Sequence, residues 1–209
     1  MVEQQIVARA EWESARAELL AKEKAATRVA DEVRAARRAL PMVEVDKGYA
    51  LAGASGTVGL ADLFEGRRQL IVWHFMWRFD TGEGCPSCSL IADNVGDLAH
   101  LHGCDTTLAF VSRAPLTAID RFRRRMGWSV PWYSSEATDF NRDFMATVDG
   151  GDRPGLSVFL RDGNRVFHTY STYFRGAEAM VGTYNWLDLT PLGRQRYVNE
   201  FPYHDRYGN

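Results

Sequence analysis

Two thiols stand three residues apart in Cys85-Pro86-Ser87-Cys88. Cysteines at this spacing can exchange electrons with a disulfide, or supply two of the four ligands of a tetrahedral metal site. Their setting favours the first. The run Leu70-Ile71-Val72-Trp73-His74-Phe75-Met76 has the apolar, β-branched and aromatic makeup of a buried strand. Residues 77–84 follow as a loop that carries Gly82 and Gly84, and a helix-like segment then opens on the cysteine pair. A thiol at a helix N-terminus faces unpaired backbone N–H groups and the positive end of the helix dipole, and both favour the reactive thiolate. Pro86 suits the first helical turn, where its missing N–H costs nothing. Cys88 falls about one turn on, on the same face as Cys85 and within reach of a disulfide. Inert packing of two small side chains is the remaining alternative.

Other reactive side chains read differently. His100, His102 and Cys104 look like the second half of a zinc site. In a helix over residues 86–102, however, His100 lies about 22 Å along the axis from Cys85, and residues two apart point to different faces. They read as a solvated helix end, with Cys104 a buried or edge thiol without a partner. No metal and no organic cofactor are therefore expected, since the thiols themselves carry the electrons. His74, inside the strand, reads as a hydrogen-bonded core histidine, with tuning of the thiols as the alternative. Glu83, two residues before Cys85, would oppose thiolate formation if ionised and so favour a more reducing pair. Arg121, Arg123, Arg124 and Arg125 read as a solvated helix face. Trp128, Trp132, Tyr133, His168, Tyr170 and Tyr173 read as core, or as the walls of a groove beside the cysteines.

Composition narrows the class. With 209 residues, 45% of them hydrophobic and 25% charged, the chain can bury one well-packed core and carry an appendage. A formal net charge of −2 supplies no field to gather nucleic acid or anionic lipid, so neither is an expected partner. No run approaches the roughly 18 apolar residues of a membrane span, and the first thirty residues lack the apolar stretch of a secretory signal. A reducing cytoplasm is the expected compartment, where three cysteines do not make a structural framework and a close pair is catalytic or metal-binding.

Residues 7–40 read as one long helix. Trp12, Ala15, Leu19, Ala26, Val29, Val33, Ala36 and Leu40 keep a 3-4 spacing that Lys22 interrupts once, and Pro41 ends it. So alanine-rich a seam calls for a partner surface, either its own domain or the same helix of a second subunit, with a free solvated helix as the remaining alternative, and a homodimer is expected. Beyond it come a short strand at 42–45, a small hairpin region over 49–60, the strand at 70–76, the cysteine helix, a strand at 106–111 and a helix at 115–126. Residues 157–160 and 165–170 then flank Asp162-Gly163-Asn164, a hairpin signal. The tail beyond about residue 185 carries no clear assignment. Alternating strands and helices closed by an antiparallel hairpin give an α/β fold on the thioredoxin-like plan, a three-layer sandwich over residues 42–209 with a long N-terminal helical extension over 1–41.

Several stretches make the chain resemble a known family. They include Leu19-Leu20-Ala21-Lys22-Glu23-Lys24, Arg37-Arg38-Ala39-Leu40-Pro41, the run from Phe64 through Met76, Gly84-Cys85-Pro86-Ser87-Cys88-Ser89 and Val111-Ser112-Arg113-Ala114-Pro115. Arg125-Met126-Gly127-Trp128, Pro131-Trp132, Asp139-Phe140-Asn141, Ser157-Val158-Phe159, His168-Thr169-Tyr170-Ser171 and Leu187-Asp188-Leu189-Thr190-Pro191 complete the set. They are similar to the bacterial DUF899 group of thioredoxin-like proteins, described as predicted dithiol-disulfide oxidoreductases. The resemblance implies Cys85 as nucleophile, Cys88 as resolving thiol, and a disulfide-containing protein or small-molecule thiol as substrate. A non-catalytic thioredoxin-like binding module, holding a metal through Cys85 and Cys88, is the alternative. Thioredoxins also carry a cis-proline before the strand that faces the pair, for which Pro154 is the candidate. The peroxiredoxin pattern Pro-x-x-x-Thr-x-x-Cys is missing, because Thr81 lies four residues before Cys85.

Overall fold

Alternation along one strand builds two cores. The computed structural model describes residues 4–149 and 151–208, and in it Gln69–His74 is the strand at the centre of the sheet. Ile71 and Trp73 face one core while Leu70 and Val72 face the other, as a two-residue period requires. The chain divides into two units, Met1–Pro41 and Met42–Asn209.

The first unit holds helix α1 (Arg9–Arg38). Glu11 in its first turn and Arg37 and Arg38 in its last complement the helix dipole, and pairs such as Arg9–Glu13 (2.7 Å) brace its surface.

The second unit opens with strands β1 (Val43–Glu44), β2 (Leu51–Gly53) and β3 (Gly56–Val58), then a 3-10 turn at Asp62–Phe64 and the central strand β4 (Gln69–His74). Two short strands, β5 (Trp77–Arg78) and β6 (Glu83–Gly84), lead into α2 (Pro86–Asp93), α3 (Ala99–Gly103), β7 (Thr106–Ser112), α4 (Leu116–Met126) and β8 (Trp132–Ser134). Helix α5 (Phe140–Asp143), the small pair β9 (Thr147–Val148) and β10 (Gly151–Asp152), and strands β11 (Gly155–Asp162) and β12 (Arg165–Tyr173) follow, and α6 (Gly182–Leu187) lies in the tail.

The main sheet runs β1-β12-β11-β4-β7-β8-β2-β3. β4, β7 and β8 are parallel, whereas β11 is antiparallel to both β4 and β12. The sequence β7-β4-β11-β12, with the crossover through α2 and α3, is the thioredoxin-like arrangement. The β11–β12 hairpin forms as expected, with Asp162 opposite Arg165 and Gly163 taking φ +59°, a value its missing Cβ permits. Helices α2 and α4 bury Cys88, Ala92, Ile119, Phe122 and Met126 against Trp73, Phe75, Phe110 and Trp132 on one face. The opposite face is thinner: the 62–64 turn and α5 cover Leu70, Val72, Val111 and Phe159 with Leu63, Phe64, Phe140 and Phe144.

One expectation is corrected and one open question answered. The cysteine helix does not run to residue 102 but stops at Asp93. The Asn94 amide turns back to donate to Leu90 O (2.7 Å), and its oxygen accepts the Thr183 backbone N–H (2.7 Å), so the helix end is capped from the tail. No peptide bond among the described residues is cis, so Pro154 enters β11 through a trans bond.

Candidate active site

The residues between β4 and the cysteines, expected as a loop, form a miniature hairpin. Trp77 pairs with Gly84 and Arg78 with Glu83, and the chain returns so that Cys85 N–H donates to Met76 O (3.0 Å). The incoming side is pinned by Phe75 N–H on Val111 O (2.9 Å) and by the Ser112 hydroxyl on Phe75 O (2.7 Å). Gly84 has no room for a side chain: a Cβ there would lie 2.6 Å from Phe122 Cε1 and 2.7 Å from Phe75 Cε1. The hairpin thus rests on two aromatic rings of the core and delivers Cys85 to the N-cap of α2.

At that cap Cys85 is extended (φ −62°, ψ 133°), with Pro86 in the first turn, and its carbonyl accepts both the N–H and the hydroxyl of Ser89 (2.9 Å each). Both cysteines are free thiols. Cys85 is partly exposed and Cys88 fully buried behind it. The Cys85 thiol is pushed down to about 6, first by a hydrogen bond from the Cys88 thiol and then by the N–H groups of Cys88 and Ser87, which outweigh its burial. Cys88 is pushed well above the ordinary thiol range, chiefly by burial and then by its donation to Cys85. One sulfur is therefore set up to be the anion and the other to hold its proton. The buried Trp73 Nε1 makes no hydrogen bond of ordinary geometry, yet its N–H lies near enough to the Cys88 sulfur to favour the charged form of that thiol.

The charges around the pair are balanced. Glu83, expected to disfavour the thiolate, is held by the guanidinium of Arg125 and by that of Arg206 (2.6 Å). Arg78 pairs with Asp80 (3.2 Å) and its charge reaches Cys85. Behind Glu83, the Tyr203 hydroxyl donates to Gly84 O (2.6 Å). The tail contacts are not legible in the sequence, because nothing local in Tyr203-His204-Asp205-Arg206 names a partner 80 or more residues away.

His74 stands on the opposite face of β4, stacked near Phe140 (5.7 Å) with Nε2 on Ser157 Oγ (2.9 Å), and so is a core histidine rather than a tuner of the thiols. Its hydrogen bonds continue from Ser157 to Ser171 (2.8 Å) and on to His168 Nε2 (2.7 Å). The six aromatic candidates do not make one groove. Trp128 and Trp132 pack with Phe75 and Phe122, Tyr133 joins the other core, His168 lies between Phe144 and Phe159, and the Tyr173 hydroxyl donates to Phe144 O (2.5 Å). A different set, Trp73, Met76, Ile91, Pro154, Phe174 and Val181, lines a cavity of about 330 Å³ that reaches Ser87 of the cysteine motif. Cys104 is exposed rather than buried, and among the described residues no group of three His, Cys, Asp or Glu side chains converges to hold a metal.

Residues 1–207 match the model of DUF899, a bacterial protein family of unknown function. The chain belongs to this family. No protein of curated function matches it in sequence. Among solved structures, this DUF899 protein is similar to the bacterioferritin comigratory protein and peroxiredoxin Q of Xanthomonas campestris, at 15% and 16% identity. Each has a TM-score of 0.49 and aligns over 66% of this chain and 89% of its own. Peroxidoxin BcpB of Mycobacterium tuberculosis aligns at 15% identity and a TM-score of 0.49, over 69% of this chain and 94% of its own. No described helix of the DUF899 chain is long and apolar enough to cross a membrane.

Proposed function

We propose that this DUF899 protein is a thiol-disulfide oxidoreductase with Cys85 as nucleophile and Cys88 as resolving thiol. One observation carries the reading: a partly exposed Cys85 at the N-terminus of α2 with Cys88 buried directly behind it. The Cys85 thiolate attacks one sulfur of a substrate disulfide, the substrate S–S bond breaks, and the first substrate thiolate leaves. Cys85 is then uncharged in a mixed disulfide, so the interactions with its anion that held the proton on Cys88 are gone. Trp73 and Met76 still favour the Cys88 thiolate. Cys88 attacks Cys85 Sγ, the mixed disulfide breaks, and the second substrate sulfur departs with the Cys88 proton. The enzyme pair is oxidised by two electrons and the substrate reduced by two; an external dithiol runs the steps in reverse. No organic cofactor enters.

Substrates of this reading are disulfide-containing proteins or small-molecule thiols, the setting is a reducing cytoplasm, and the working form is a homodimer. Redox titration of the purified protein is expected to show a reversible Cys85–Cys88 disulfide, Cys85→Ser to abolish turnover, and Cys88→Ser to accumulate the mixed disulfide. Absence of a reversible disulfide overturns the reading. A metal-holding module would instead show about one equivalent of bound metal in protein purified without chelator.

A further inference from the structure

The two residues that precede the candidate nucleophile are gripped from the far end of the chain. Tyr203 is 3% exposed, and its hydroxyl donates to the carbonyl of Gly84 at 2.6 Å. Its ring meets Phe122 edge-on (5.5 Å) and carries the guanidinium of Arg206 at 4.7 Å and that of Arg125 at 5.1 Å. Both cations also bind the Glu83 carboxylate, Arg206 at 2.6 Å. Arg125 is in turn fixed by Asp205 through two bonds of 2.7 and 3.0 Å. One tail segment thus supplies a hydroxyl to Gly84, a cation to Glu83 and the carboxylate that orients the second cation.

The consequence is electrostatic as well as mechanical. A bare carboxylate two residues before a sulfur raises the cost of the thiolate, whereas a carboxylate shared by two guanidiniums does not. Gly84 in its turn is wedged between Phe75 and Phe122, so its carbonyl direction fixes where Cys85 leaves the hairpin. We propose that Tyr203 and Arg206 are positioning residues for Cys85, a clamp that holds Gly84 in place and cancels the Glu83 charge. The proposal rests on Cys85 being the nucleophile.

The test is the pH profile of Cys85 alkylation by iodoacetamide in full-length protein carrying Cys104→Ser, so that the exposed third thiol is silent. Of the charged and titratable groups around the hairpin, Cys88 on α2 hydrogen-bonds this sulfur and the charge of Arg78 on β5, itself paired with Asp80, reaches it; Glu83 on β6, Arg125 on α4, and Tyr203, Asp205 and Arg206 of the tail form the cluster on the residues before it. Tyr203→Phe keeps the ring and loses the hydroxyl, and Arg206→Ala removes one cation. Each is expected to move the midpoint upward and slow alkylation at pH 6 by about threefold, a shift of roughly 0.7 in the midpoint. Arg206→Lys restores the profile, and Glu83→Gln makes Arg206→Ala harmless. Melting curves of the same proteins report stability separately. A profile unchanged in both Tyr203→Phe and Arg206→Ala overturns the clamp, even if the variants melt earlier. A reference protein whose Cys85 does not react at all instead overturns the nucleophile assignment on which the clamp depends.

Discussion

Gly84→Ala puts a methyl group where Phe122 and Phe75 already are, at 2.6 and 2.7 Å. Two core rings cannot both retreat in a close-packed interior, so the hairpin backbone must move, and Cys85 moves with it. The expected cost is about 1–3 kcal/mol in denaturant unfolding, the range of core overpacking, together with slower alkylation of Cys85. Unchanged stability would show that the rings give way freely. At this scale the cysteine pair was legible, because spacing, proline and the preceding apolar run all lie within one short stretch of chain. Gly84 was not, since what forbids its side chain is a ring on α4 far along the sequence. Glu83 shows the same limit: its own neighbours show a carboxylate beside a thiol, and the two guanidiniums that bind it come from α4 and the tail.

Strands and helices were legible where their pattern was long. β4, β7, α4 and the β11–β12 hairpin appear close to where periodicity and turn chemistry put them. Short elements were not: β8 spans three residues, and β5 and β6 two each, too few for any period to show. The break after α2 depends on an Asn94 contact to Thr183, which local propensity does not contain. Across β4, β11 and β12 the structure also links buried His74 and Ser157 to half-buried Ser171 and His168, a row that gives the sheet a pH dependence. Burial, and then the charge of His168, push His74 down to about 3, and burial lowers His168 as well. The unfolded chain therefore takes up protons near pH 6.5 that the folded sheet refuses. The contribution is fully present above the unfolded pKa and is lost as pH falls from 6.5 toward 3. Urea unfolding at pH 7.5 and pH 5 is expected to show a loss of about 2 kcal/mol from His74 alone, reckoned at roughly 1.4 kcal/mol per pH unit below 6.5. His74→Gln should flatten that slope, and an equal slope in the variant would remove His74 as the cause.

The molecule as a whole is two units under one family match, and residues 1–207 include the helix as well as the sheet. α1 has 30 residues, hence a length of about 45 Å. A helix of that length with an alanine-rich seam gains little from propensity alone and is stabilised in water mainly by a surface that takes its apolar stripe. Trp12, Ala15, Leu19, Ala26, Val29 and Val33 follow that stripe at 3-4 spacing, the pattern that two copies of one helix can share. Lys22 interrupts it once, and a single polar position of this kind fixes register and partner number at some cost in stability. The expected form is therefore a homodimer joined through α1. Light scattering on the full chain should give twice the mass of one 23.6 kDa chain, and a chain beginning at Leu40 should give the monomer. A monomeric full-length protein refutes the dimer. A dimer that survives the truncation moves its interface onto the thioredoxin-like unit.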